Sequence, residues 1–152
     1  MFAVVRLRGK VNRSKRVEDT FKMLNLNAPN NCVLIQETPS FKGMLNVVKD
    51  FCTWGEIEKD TLVELLKRRL RRRGNKRVDE KTLKEITNFS SFEEFANALL
   101  EGRVKIKDFK EFNPTFRLSP PSKGFKSVKI PYPKGDLGYR GKKINELLKR
   151  MI

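Results

Sequence analysis

Histidine is missing from this 152-residue sequence, and cysteine occurs only twice, as Cys32 and Cys52. Without histidine the commonest general base and the commonest transition-metal ligand are gone, which weighs against an enzyme. The two cysteines lie far apart, each in a stretch that reads as a strand, with no ligand residues beside them. They make neither a disulfide framework nor a metal site and read as small buried hydrophobes. No apolar run approaches the roughly 20 residues of a membrane-spanning helix. At the N-terminus, M-F-A-V-V-R-L-R, apolar residues precede the charges, the reverse of a secretory signal. A soluble, cytoplasmic protein is the expectation. P-loop, nucleophile elbow and metal-ligand patterns are also wanting, and no cofactor or small-molecule substrate is implied. Glu93 and Glu94 are paired acids, but at a helix start they read as capping residues rather than catalytic ones.

Negative charge is scarce too, and that scarcity is the loudest signal. Lys and Arg number 34 against 18 Asp and Glu, a net charge of +16 and an isoelectric point near 10.2. Such an excess sets up a long-range field that attracts polyanions. Nucleic acid is the first candidate and an anionic membrane surface the second. The 38% hydrophobic content supports a real but modest core: one domain, or a small core carrying an extension.

In order along the chain, Met1 to Leu7 reads as a strand, with Val5 and Leu7 on one face and Arg6 and Arg8 on the other. A basic loop follows, holding Lys10, Arg13, Lys15 and Arg16. Ser14 is a plausible N-cap for a helix whose inner face is Val17, Phe21 and Leu24. The run Cys32-Val33-Leu34-Ile35 has the length and flanks of a buried strand. Thr38 then fits an N-cap with Pro39 at the first helical position, and Met44, Val47, Val48 and Phe51 recur as one helix face. Gly43 sits inside that helix, where it costs about 1 kcal/mol relative to Ala. Either another element packs closely there, or a ligand comes up to the first turn, where free N–H groups, the helix dipole and Lys42 favour phosphate. A third strand is placed at Cys52 to Ile57, completing β-α-β-α-β with both helices on one sheet face.

From Lys59 the pattern is helical, with Thr61 and Glu64 as a capping box and Leu62, Leu65, Leu66 and Leu70 as the buried stripe. Its end, K-R-R-L-R-R-R before Gly74, holds Arg68, Arg69, Arg71, Arg72 and Arg73, more cations than a helix C-terminus needs. Crowded like charges are relieved by a polyanion. Helices are also placed from Asp79 to about Ile86 and from Ser91 to Gly102. Phe112 to Gly141 holds most of the prolines, several glycines and many lysines, so little regular structure is expected. It is also aromatic, and rings interleaved with cations suit ordering against RNA. The rings can stack on bases or seat the chain on the protein, while cations track phosphates. A disordered basic tail is the alternative. The candidate contacts there are Arg117, Lys123, Lys126, Tyr132, Tyr139 and Arg140. Ile144, Leu147, Leu148 and Met151 space a terminal helix that docks on the body and pins the segment at both ends. Three parts result: a compact core (1–57), a helical extension (58–111) and an extended basic segment (112–152).

Three motifs carry a resemblance. E-T-P-S-F-K-G-M-L-N-V-V (Glu37 to Val48) is similar to the compact form of large-ribosomal-subunit protein thirty. F-N-P-T-F-R-L-S-P-P-S-K-G (Phe112 to Gly124) and G-D-L-G-Y-R-G (Gly135 to Gly141) resemble the archaeal long form, related to eukaryotic large-subunit protein seven. The resemblance implies an α+β fold related to the ferredoxin-like fold, and a noncatalytic role in the large subunit. Its partners would be large-subunit rRNA, near 5S rRNA, and neighbouring ribosomal proteins. It also implies an antiparallel three-stranded sheet with the first strand central, where helical crossovers alone would suggest parallel neighbours. The first loop, G-K-V-N-R-S-K-R, departs from the compact form's arginine pattern, so which of its cations touches RNA stays open. A DNA-binding architectural protein shares the charge, but no helix-turn-helix, zinc-ligand set or basic zipper is present.

Overall fold

The structure is a computed structural model that describes residues 1–9 and 14–152. Strands β1 (Phe2–Arg6), β2 (Asn31–Ile35) and β3 (Cys52–Glu56) form an antiparallel sheet with β1 in the centre. Helices α1 (Lys15–Leu24) and α2 (Pro39–Val48) connect them and cover one face. Ser14 caps α1 by accepting from Val17 N–H at 3.3 Å, and Asn25 ends it in the left-handed region, φ 60°. Thr38 caps α2 by accepting from Phe41 N–H at 3.2 Å. The buried line of α2 runs through Leu45 and Val48, with Met44 and Val47 at its margin, one position round from the face read off the sequence.

The opposite face of the sheet is covered as well, so every residue of β1 is buried. Helices α3 (Lys59–Arg69), α4 (Glu80–Thr87), α5 (Phe92–Leu100) and α6 (Ile144–Met151) build that second layer with Ala3, Val5 and Leu7. Phe95 on α5 meets Phe89, Phe109 and Phe112 at centroid separations of 5.6–6.0 Å, an aromatic kernel under the extension. All four apolar residues of α6 are fully buried, so the docking inferred from their spacing holds.

The C-terminal segment is not a loose wrap. It adds a dipeptide strand to each sheet edge, Phe116–Arg117 against β2 and Gly138–Tyr139 against β3, giving five strands instead of the three expected. Around them it closes by buried polar bonds. Arg140 donates to Thr53 Oγ1 at 2.9 Å and to Asp136 Oδ1 at 2.9 Å, while Asn145 bridges Glu58 N–H and the Glu56 carbonyl. Gly55 makes this docking possible: a Cβ there would lie 1.9 Å from the Gly141 carbonyl oxygen.

Two boundaries around α3 differ from the sequence reading. Its N-cap is Glu58, and Thr61 lies inside the helix, fully buried, so the Thr61–Glu64 capping box is not formed. The helix stops at Arg69 rather than at Gly74. Arg71–Arg72 and Lys76–Arg77 then pair as a two-stranded hairpin, β4 and β5, turned by Gly74 at φ 84° and Asn75 at φ 60°. Leu70 is fully buried, and placing it under the helix end forces the extended backbone that starts the hairpin.

Candidate nucleic-acid interface

The hairpin converts a run of arginines into a surface. Arg69 donates to the Arg117 carbonyl at 3.1 Å and to Ser119 Oγ at 2.9 Å. Arg71 donates to the carbonyls of Arg68 and Leu70 at 2.9 and 3.2 Å. Neutral acceptors aim these two guanidiniums, and among the described residues neither meets a carboxylate in an ion pair. Partial burial, and then the charges of Arg77 and Arg69, push the Arg71 guanidinium below its ordinary pKa. Arg68 meets Glu64 at 3.6 Å, Arg72 meets Glu111 at 3.7 Å and Lys67 meets Glu93 at 3.2 Å, exposed pairs that salt readily screens.

Two grooves share Arg69 and Arg71 as a wall. One, of about 420 Å³, is lined by Lys67, Arg68, Arg69, Arg71, Arg77 and Ile152. The other, of about 130 Å³, adds Asn75, Asn113, Thr115 and Arg117. The fold therefore brings Arg117 to the cluster from far along the chain. Sequence reading missed Lys67 and Arg77 as groove residues. The signal for Arg77 was present: Gly74-Asn75 between two basic dipeptides is a hairpin turn signature.

The other candidates fall elsewhere. Gly43 and Lys42 are exposed on the first turns of α2, and a Cβ at Gly43 would meet nothing within 4 Å. Close packing therefore does not account for this glycine. Lys15 and Arg16 share with it a shallow groove of about 660 Å³ between α1 and α2. Lys10 and Arg13 lie outside the described residues. Arg8, half-buried, lies over the Phe51 ring at 5.3 Å. Arg73, Lys123 and Lys126 are exposed.

Two candidates are corrected by burial. Arg6, only 1% exposed, donates to the carbonyls of Leu26 and Arg8 and stacks over Phe21 at 4.0 Å, because the face expected to be open is roofed by α1. Arg140, 8% exposed, is spent on Asp136 and Thr53, with Tyr132 beneath it at 5.3 Å. Neither guanidinium has a surface to offer. Tyr139 is half exposed, but its hydroxyl donates to Glu56. That bond, with the charges of Glu56 and Glu37, pushes its phenol up to about 12. Those carboxylates make its surroundings unfavourable for phosphate.

Among the described residues, no helix is long and apolar enough to cross a membrane. The profile of the family described as Ribosomal protein L30p/L7e matches residues 2–52. Proteins named large ribosomal subunit protein uL30 are similar over almost the whole chain. That of Archaeoglobus fulgidus is 48% identical over 151 residues, 99% of each chain. That of Thermoplasma volcanium is 45% identical over 153 residues, 100% of this chain and 93% of its own. That of Methanocorpusculum labreanum is 45% identical over 152 residues, 99% of each.

Proposed function

We infer, from a chain that belongs to the ribosomal protein L30p/L7e family, a structural constituent of the large ribosomal subunit that binds rRNA without catalysis. Relatives that carry the large-subunit name match this chain over 93–99% of their length, and the net charge of +16 supplies the physical means. Binding of this kind works by charge neutralisation and shape fit: each phosphate paired with a cation releases counterions, and a rigid surface fixes register.

The observation that carries the mechanism is the pair of grooves around Arg69 and Arg71, whose guanidiniums are aimed by carbonyls and crowd one another. Crowding costs free energy in the isolated protein and is relieved when phosphate enters. Arg68, Arg72, Arg73 and Arg117 belong to this contact. The α1–α2 groove, with Lys15, Arg16 and Gly43, forms a second contact, extended by the exposed Thr38 and Lys42 at the start of α2, and the exposed Lys123 and Lys126 form a third. Contact with 5S rRNA, neighbouring ribosomal proteins and a place in cytoplasmic ribosomes complete the proposal. The division into core, helical extension and basic segment is its working anatomy: the core sets the orientation, and the later parts bring distant cations together.

The test is crosslinking within intact large subunits. RNA adducts at residues 68–73 and 117 are the expected result. Sedimentation of the protein apart from large subunits would overturn the reading.

A further inference from the structure

Sheet edges in stable proteins are paired, covered or blunted. The outer side of β2 is paired only at Asn31 and Cys32, which face Arg117 and Phe116. On that side the Asn30 carbonyl accepts from Leu118 N–H at 3.1 Å. Hydrogen-bonding direction alternates along an antiparallel strand, so Cys32, and then Leu34, present their main-chain groups the same way. Continuing this register, the place opposite Leu34 belongs to Pro114, which has no N–H to give. There the chain turns off: Thr115 N–H donates to Asn113 Oδ1 at 3.1 Å, and Thr115 Oγ1 donates to the Asn25 carbonyl at 2.7 Å. Among the described residues Leu34 has no strand partner on this side.

The vacated edge opens into a crevice of about 230 Å³ walled by Met23, Leu34, Phe41, Val104 and Ile106. Met23 is 59% exposed, one of the few large hydrophobic side chains left so open. Lys105 and Lys107, both exposed, also border the crevice. The nearby Asp108 carboxylate accepts from Lys105 N–H at 2.9 Å and is turned into its own backbone.

We propose that this crevice receives an extended segment of a neighbouring protein, which adds a strand beside Leu34. An apolar side chain of that segment seats between Met23 and Ile106, and a flanking carboxylate meets Lys105 and Lys107. Open main-chain groups beside an apolar trough are what strand addition requires, the main chain giving affinity and the trough giving selectivity. A nucleotide would use the lysines and apolar walls but has no pattern to match a strand edge. The proposal rests on the ribosomal reading only for where the partner is met.

The experiment uses full-length protein carrying p-benzoyl-phenylalanine at position 104, which lines the crevice and not the α1–α2 groove, assembled into large subunits, irradiated and analysed by mass spectrometry. The expected adduct is a protein segment with an apolar residue flanked by Asp or Glu. Lys105→Glu with Lys107→Glu should lower its yield on the order of tenfold, since charge reversal at a complementary rim repels the partner. Hydrogen exchange should also show the Leu34 amide slower in subunits than in the free protein. An RNA adduct, no adduct, or equal Leu34 exchange in both states overturns strand docking while leaving the ribosomal reading intact. Failure of the protein to enter subunits, visible on sedimentation before irradiation, overturns both.

Discussion

At the scale of the residue, the most consequential side chains are those a charge count misleads about. Asp136 and Arg140 form an ion pair at 2.9 Å with side chains 4% and 5% exposed. A buried pair is weak evidence of net stability, but removing one member strands the other charge, at a cost of about 3–5 kcal/mol. Asp136→Ala should lose that much in a denaturant titration and make residues 123–135 the first site of proteolysis. The thiols make a second prediction. Burial raises Cys32 from 9.0 to about 12 and pushes Cys52 higher still. Because thiolate is the nucleophile, neither should react with a thiol reagent at mildly alkaline pH until denaturant is added. Tyr139 gives the third. Its folded pKa of about 12 exceeds the ordinary value near 10, so the protonated phenol is the form that the Glu56 contact favours. The stabilising contribution is complete below about pH 10 and is lost as pH rises through about 12. Phenolate absorbance should show one tyrosine titrating late, and Tyr139→Phe should abolish that late step.

At the scale of the element, α2 separates stability from binding. Gly43 is exposed in a helix interior with free space around it, so Gly43→Ala should stabilise the isolated protein by about 0.5–1 kcal/mol. The same methyl group narrows the α1–α2 groove, and rRNA affinity should fall while the melting temperature rises. A rise in both would take this helix out of the interface. Element by element, the sequence made local matters legible. Thr38 and Pro39 announced α2, Ser91 announced α5, and the apolar spacing of Ile144 to Met151 announced α6 and its docking. Long-range matters were not legible. Nothing next to Arg6 in the sequence says that α1 will roof it, because that depends on a partner, Leu26, twenty positions on. The α3 boundary failed for a similar reason: Leu70 continued the leucine stripe, and its burial under an extended backbone is a tertiary demand. Pairing of dipeptide strands at the sheet edges depends on register across more than eighty residues, beyond any periodicity.

At the scale of the whole molecule, a core buried on both sides of the sheet serves as a mount for charge. Rigid mounting decides the energetics, since flexible cations would separate in the free state and pay that separation back on binding. Here Arg69 is tied to Arg117 and Ser119, and Arg71 to Arg68 and Leu70, so their repulsion is built in before RNA arrives. Replacing Arg68, Arg69, Arg71, Arg72 and Arg73 with Ala should therefore weaken binding to large-subunit rRNA and flatten its salt dependence. Each lost phosphate contact lowers the slope of log K against log salt by roughly 0.7–0.9, so losing all five would flatten it by roughly 3.5–4.5. Circular dichroism of the variant separates lost charge from lost fold, and Lys15→Ala with Arg16→Ala, on the far groove, serves as the comparison. If both variants shift the slope and the shifts add, the two surfaces hold separate stretches of RNA. An unchanged slope in the arginine variant would remove the hairpin from the interface and leave the α1–α2 groove to carry the binding.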